Sequence, residues 1–146
     1  MAFLFTFISM NTLKIVSILI MMFSSITKAQ DITDFKWNNR LIILYENNNN
    51  VAEVKSAVEI IAKNSAGLIE RDVRFFVFKN NVYYSSNGQA LEITNSNTLP
   101  KVYNGYILVG KDGGIKSTKS YPFNLNKIFD LIDSMPMRKS EMRTNR

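Results

Sequence analysis

Residues 105–118 read GYILVGKDGGIKST, which is an apolar run, a short polar turn and a second extended run. Asp112 and Gly113 lie between the two runs, and an Asp-Gly pair favours the type I′ turn of a β-hairpin because both positions need positive φ. The stretch therefore predicts a hairpin in the core sheet, with the flanking elements packed against it.

The rest of the chain alternates between strand and helix patterns. Residues 41–45 and 73–78 are apolar runs typical of strands, and residues 51–64 carry an apolar stripe from Val51 to Ile61 at helical spacing, with Gly67 as the break after it. A second stripe follows the capping residue Asn124 and stops at Pro136. We expect the first strand, helix and strand to form a right-handed parallel crossover. A short helix around residues 95–103 is an open alternative to a loop.

This order of elements predicts a single-domain α/β fold of thioredoxin-like type, in which helices flank a mixed sheet. The irregular segment between the second strand and the hairpin stands where the middle helix of that fold is reduced or replaced. We expect the hairpin strands to pair antiparallel and the last helix to pack back on the sheet.

The first 29 residues differ from the rest and have the pattern of a secretory signal. Lys14 precedes the apolar residues 15–23, and Thr27 and Ala29 are small residues at the −3 and −1 positions of a cleavage site. The apolar core is shorter than the roughly 20 residues of a membrane span. We expect residues 30–146 to be exported, periplasmic or extracellular, with no stable membrane span after cleavage. An uncleaved anchor is the alternative, and the start is either Met1 or Met10.

The net charge of +6 is concentrated at the two ends of the chain. Lys14 and Lys28 leave with the signal, and the tail from about residue 138 holds four basic residues and one acid. We expect this tail to be disordered or to contact anionic surfaces. Because no folded basic face with interleaved aromatic residues is evident, nucleic-acid binding is not predicted.

Several kinds of chemistry are excluded by composition, since the chain has no cysteine and no histidine. Thiol redox catalysis, catalytic triads and imidazole metal sites need those residues. The acidic residues are scattered, and Asp130 with Asp133 is interpreted as a solvated helix edge. We predict no catalytic, cofactor-binding or metal-binding residue, and no cofactor.

Charged residues near the predicted strand ends form a candidate functional cluster. Its members are Arg40, Arg71, Asp72, Lys111, Asp112, Lys116 and Arg138. Two interpretations are open: structural ion pairs at strand entries, which we favour for Arg71 and Asp72, and a charged cleft that performs acid–base work. We favour a hairpin turn over a phosphate loop for residues 111–114. We expect Trp37 to be a lid on the core and Met135 and Met137 to seal it.

Several stretches together resemble a family known as domain of unknown function 4174. They are WNNRL at 37–41, ERD at 70–72, VGKDGGIK at 109–116 and LIDSMPMR at 131–138, with Glu141 and Met142 at the end. The family occurs in exported bacterial proteins and in animal sushi-repeat-containing and coiled-coil-domain extracellular proteins. The resemblance implies a thioredoxin- or peroxiredoxin-like fold and an exported location, but no settled activity. Thiol oxidoreductases of this architecture carry their cysteine directly after the first strand, where this chain has Glu46 and four asparagines.

These observations predict an exported, redox-inactive binding module whose partner is a protein or an anionic component of the envelope or matrix. The alternative is a cysteine-independent enzyme that uses the charged residues as one cleft. A redox partner whose cysteines come from another chain is a third hypothesis. Geometry separates the first two, because an enzyme needs the charged groups to converge in a pocket rather than to pair on separate faces.

Overall fold

Strand β1, Arg40–Tyr45, lies at the centre of the molecule, and all of its residues are buried. It pairs in parallel with β2, Val73–Lys79, on one side and antiparallel with β5, Tyr106–Val109, on the other. A strand with neighbours on both sides and layers on both faces needs apolar side chains throughout, which is why residues 41–45 form a continuous apolar run.

The computed structural model describes residues 31–91, 99–100 and 103–144. The elements in chain order are a 3-10 helix Ile32–Phe35, β1, α1 Val51–Lys63, α2 Ser65–Glu70, β2, β3 Val82–Ser85, β4 Ala90–Leu91, β5, β6 Ile115–Lys119, α3 Leu125–Ser134 and α4 Pro136–Thr144. The strands form one mixed sheet in the order β4-β3-β2-β1-β5-β6. The prediction of a mixed α/β single domain is confirmed, whereas the signal and most of the alternative helix at 95–103 lie outside the described residues.

The two faces of the sheet are covered by different elements. Helices α1 and α3 cover one face, and the residues that they bury there are Val54, Ala57, Ile61, Leu125, Ile128 and Ile132. Phe35 of the 3-10 helix and Leu99 pack on the opposite face. The predicted stripe of α1 is wrong at its first position, because Val51 is half exposed.

The hairpin is confirmed, but it lies at one edge of the sheet rather than at its centre. Strand β5 is buried between β1 and β6, and β6 pairs with β5 alone among the described strands. The turn is not of type I′, since of its residues only Gly113 has a positive φ, at 82°. The Gly113 N–H donates to the carbonyl of Gly110, which is typical of a three-residue loop with a glycine bulge.

The first helix ends at Lys63, close to the predicted end, but Gly67 is not the break after it. Asn64 separates α1 from α2, and Gly67 lies inside α2. The missing side chain of Gly67 leaves room for the Phe129 ring, which would lie 2.8 Å from a Cβ at this position. Gly67 is therefore a packing residue and not a helix terminator.

The residues predicted to form a basic tail continue the fold as a helix. Pro136 ends α3, as predicted, and also occupies the first position of α4, where its fixed φ and missing N–H are tolerated. Arg138 of this helix is only 3% exposed, so the segment is packed rather than free. Among the described residues, no helix has the combination of length and apolarity that crossing a membrane requires.

Candidate functional site

Most of the predicted charged residues meet at the amino-terminal ends of β1 and β2. Arg40 is the first residue of β1, and Asp72 directly precedes β2. Lys111 follows β5, which runs antiparallel to β1, so β5 ends where β1 and β2 begin. Helix α4 contributes Arg138 and Glu141, whose side chains contact residues at this end of the sheet. We call the resulting group the charged cluster, and its members are Arg40, Glu70, Arg71, Asp72, Lys111, Asp133, Arg138 and Glu141.

Arg40 is the most deeply buried member of the charged cluster, with 1% of its surface exposed. Its guanidinium donates to both carboxylate oxygens of Glu141 at 3.2 Å and to the carbonyl of Arg71 at 2.9 Å. A buried guanidinium needs such paired acceptors, because removing it from water is costly unless its N–H groups are satisfied. Arg40 therefore attaches α4 to the amino end of β1.

Asp133 joins two further arginines of the charged cluster. It accepts a bidentate pair of hydrogen bonds from Arg71, at 3.0 and 2.6 Å, and a third from Arg138 at 3.2 Å. Arg71 also lies 4.4 Å above the Phe129 ring, a cation–π contact. The guanidinium of Arg138 donates hydrogen bonds to the backbone carbonyl and to the carboxylate of Glu70. The interpretation of Asp133 as a solvated helix edge is therefore wrong, whereas Asp130 is exposed.

Lys111 closes the charged cluster on the side of the hairpin. Its ammonium lies 2.8 Å from a carboxylate oxygen of Asp72 and 2.8 Å from one of Glu141. Asp72 is held at a left-handed φ of 51°, a conformation that aspartate tolerates better than most residues. Glu141 thus pairs with three cations, which are Arg40, Lys111 and, at 3.8 Å, Arg138.

The pKa values of Glu141, Asp133 and Lys111 in the charged cluster are shifted towards the ionised form. Burial alone would raise the pKa of Glu141, but hydrogen bonds from Lys111 and Arg40 and their charges outweigh it, so the pKa lies below its usual value. Burial would likewise raise the pKa of Asp133, but the hydrogen bonds from Arg71 and Arg138 and their charges outweigh it, so this pKa is also lowered. The pKa of Lys111 is raised by Asp72 and Glu141 in spite of its burial. Groups shifted in these directions exchange no proton near neutral pH.

Two members of the predicted cluster lie elsewhere, and one aromatic prediction is wrong. Lys116 and Asp112 form an ion pair of their own at the hairpin turn, 2.6 Å apart. Gly114 also donates its N–H to Asp112, which supports the interpretation as a hairpin turn. Trp37 is 63% exposed, so it is not a lid on the core.

The loop between β1 and α1 is held by amide side chains. Asn50 is buried, and its side-chain NH₂ donates to the carbonyl of Tyr45 at 3.1 Å and to the side chain of Asn104 at 2.8 Å. Its side-chain oxygen accepts from the N–H of Asn47. The hydroxyl of Tyr121 is a second donor to the carbonyl of Tyr45, at 3.2 Å. The asparagine run is therefore a structural connection at the carboxyl end of β1.

A groove of about 570 Å³ lies between strands β5 and β6 on one side and helix α3 on the other. Its lining residues are Tyr106, Ser117, Lys119, Ser120, Pro122, Phe123, Asn124, Lys127, Ile128 and Leu131. None of them is acidic, and within the described part of the chain neither Lys119 nor Lys127 has an ion-pair partner. The groove thus combines apolar walls with two cations whose charge is not balanced locally.

The local structure explains why this groove forms. Asn124 caps α3 by accepting a hydrogen bond from the N–H of Lys127, which fixes where the helix starts beside the strand. Gly105 allows the end of β6 to approach closely, because a Cβ there would clash with the backbone oxygen of Lys119. The end of β6 and the first turn of α3 are thereby held as the two walls of one groove.

The comparison with known families agrees with the resemblance of the sequence. A family model described as Domain of unknown function (DUF4174) matches residues 31–141. The chain belongs to the DUF4174 family. No solved structure matches it.

The match of this DUF4174 domain includes all eight members of the charged cluster, and it also includes both lysines of the groove. Across the described ranges, no group of three or more acidic side chains is arranged to hold a metal ion. The sequence interpretation missed Lys119, Lys127 and Leu131. Residues 115–119 read IKSTK, and two lysines with small polar residues between them are typical of a protected edge strand, so this stretch could have indicated an open edge.

Proposed function

We propose that this chain is an exported binding module on a thioredoxin-like scaffold, that it takes an anionic partner in the groove between β6 and α3, and that it performs no thiol chemistry. The observation that carries the proposal is a groove in which, among the described residues, two lysines have no ion-pair partner and no carboxylate forms part of the lining. Elsewhere at the sheet, the cations of the charged cluster have carboxylate partners within 4 Å.

The strand order supports the thioredoxin-like part of the proposal. Strands β1 and β2 are parallel and are connected through α1 and α2. The hairpin β5–β6 then pairs antiparallel with β1 on its other side, and α3 returns to the face that α1 covers. The order of these elements along the chain is the one that the sequence pattern predicts for that fold, whereas the pairing of the hairpin with β1 is not part of that prediction.

The proposal that thiol chemistry is absent rests on the β1–α1 loop. In oxidoreductases of this architecture a helix N-terminus stabilises the thiolate directly after the first strand. This loop carries Asn47 and Asn50, which satisfy one another and the carbonyl of Tyr45. The chain has no cysteine at any other position either.

The alternative of a charged-cleft enzyme has little support. Arg40, Arg71, Asp72, Lys111 and Arg138 do converge, but they converge as ion pairs. A shallow groove of about 740 Å³ lies beside them, and its walls include Ile69 and Met137. Acid–base work needs a group poised near neutral pH, whereas the pKa shifts of Glu141 and Lys111 move both away from it.

A binding experiment with charge-reversal variants tests the anionic partner. The probes are a fluorescent acidic peptide and a fluorescent sulfated oligosaccharide, each titrated with purified protein at low and high salt. We expect the variant Lys119→Glu/Lys127→Glu to lose at least about tenfold in affinity for a bound probe, which is roughly 1.4 kcal/mol. Higher salt should weaken binding to the wild type.

A matched control distinguishes a site from general charge. The variant Lys55→Glu/Lys63→Glu makes the same change in net charge on exposed positions of α1, away from the groove. It should bind the same probe as the wild type does. Equal losses in the two variants, or no binding of either probe, would reject the groove as an anion site.

Export has a separate test. The intact mass of the protein recovered from the periplasm or the medium of producing cells should correspond to a chain that starts at Gln30. A mass that includes residues 1–29 would contradict cleavage of the signal.

A further inference from the structure

We propose that the partner is an acidic segment of a protein that binds in an extended conformation and adds to β6 as a seventh strand. The inference rests on the proposed function, because it takes the same groove as the site and specifies the class of ligand. It adds the requirement that the backbone of the partner forms hydrogen bonds with the backbone of β6, which binding to a charged groove alone does not need.

The open edge of β6 is the first argument. Among the described strands β6 pairs only with β5, so alternate residues direct their N–H and C=O groups away from the sheet. Residues 115–119 form an edge of roughly 17 Å, at about 3.4 Å per residue. Such an edge matches a bound segment of about five residues, which is the usual scale of recognition by strand addition.

The position of α3 is the second argument. Residues of α3 line the same groove as Ser117 and Lys119 of β6, so a strand added to β6 would lie next to this groove. Pro122 is exposed and Leu131 is partly exposed in this groove, so they supply apolar surface on which alternate side chains of the added strand can pack. A free anion or a small ligand uses neither the length of the edge nor its backbone groups.

The charge of the walls determines the chemistry of the added segment. Lys119 on the strand and Lys127 on the helix face the groove, and no acidic residue lines it. A second copy of this edge is an unfavourable occupant, because β6 itself carries Lys116 and Lys119, and like charges on adjacent strands repel. Acidic side chains on the partner relieve the same charge, so the lysines that discourage self-association favour an acidic segment.

The experiment compares two peptides that differ only in their backbone hydrogen-bonding capacity. The first is a fluorescent heptapeptide of alternating glutamate and valine, and the second has the same sequence with N-methyl groups on alternate amides, in both registers. Strand addition requires the peptide amides on one side, so one N-methylated register should lose about tenfold or more in affinity while the other retains it. The backbone amides of residues 115–119 should also become protected from hydrogen exchange when the unmodified peptide binds.

The outcomes separate this inference from the proposed function. If the peptide and both N-methylated registers bind equally and Lys119→Glu/Lys127→Glu weakens all three, the groove binds anions without strand addition and only the inference fails. The same holds if the sulfated oligosaccharide binds in the groove and the peptide does not. If the wild type binds the peptide and Lys119→Glu/Lys127→Glu binds it with the same affinity, both proposals fail. Thermal unfolding of each variant shows whether it is folded.

Discussion

Arg40 organises one end of the sheet because its charge is buried and fully paired. Its side chain is 1% exposed and joins β1 to Glu141, which lies 101 residues later in the chain. Lys116, by comparison, pairs with Asp112 four residues away, and the side chains of both residues are more than a third exposed. Removing Arg40 should therefore destabilise the protein more than removing Lys116, because the Arg40 ion pair is buried and the Lys116 ion pair is exposed.

We expect Arg40→Met to lower the free energy of unfolding by about 3 kcal/mol, because it leaves Glu141 and the carbonyl of Arg71 short of a buried donor. Lys116→Met should cost less than about 1 kcal/mol, since its pair is exposed. Urea denaturation of both variants measures the difference. Equal losses would mean that Arg40 is not a structural anchor.

Single residues also show what could be predicted from sequence at this scale. Asp72 and Arg71 next to a predicted strand indicate a structural pair, and the structure confirms that Arg71 reaches across to the last turn of α3 through Asp133. The spacing of Lys111 and Lys116 in the sequence does not predict which carboxylate each lysine contacts. The three-residue loop sends Lys111 to Asp72 and Lys116 to Asp112, and that loop type depends on Gly113 alone taking a positive φ.

At the scale of elements, α4 shows why the sequence interpretation failed where it did. Residues from about 138 have a basic composition that is typical of a solvated tail. The burial of Arg138 depends on acceptors from Glu70 and Asp133, and only Asp133 is near in sequence. The β1, α1, hairpin and α3 segments could be predicted because their own periodicity specifies them. Helix α4 has weak periodicity and is specified by contacts with other elements.

The attachment of α4 through Glu141 should make stability depend on pH in a defined direction. The pKa of Glu141 is lowered in the folded state, so its contribution is present above its ordinary pKa of about 4.3 and is lost as the pH falls through the lowered value. Glu141→Gln should therefore be less stable than the wild type at pH 7, and the difference should shrink towards pH 3. The free energy of unfolding in urea at several pH values measures this.

The matched control for that prediction is Glu59→Gln on the exposed side of α1, outside the charged cluster. Its difference from the wild type should stay small across the same pH range. A difference for Glu141→Gln that is constant from pH 7 to pH 3 would contradict the electrostatic attachment of the helix and would leave packing as the cause.

At the scale of the whole molecule, the scaffold proposal implies that the site after β1 keeps its electrostatic character although it has no thiol. The N-terminal turn of α1 has no side-chain hydrogen bond from its capping residue Asn50, so its backbone N–H groups remain available as donors. Val51 is 49% exposed at the first helical position, where a new side chain fits without repacking. Lys55, one turn further along the helix, is exposed but is past the region where the helix dipole acts.

We therefore expect the thiol of Val51→Cys to have a pKa about half a unit below that of Lys55→Cys, because the N–H groups and dipole of α1 stabilise the thiolate. Glu53 in the first turn opposes this effect, so Val51→Cys/Glu53→Gln should have a lower pKa still. The rate of alkylation by iodoacetamide as a function of pH measures each value. If the thiol at position 51 titrates like the thiol at position 55, the β1–α1 junction does not activate a thiol. The thioredoxin-like proposal would then depend on strand order alone.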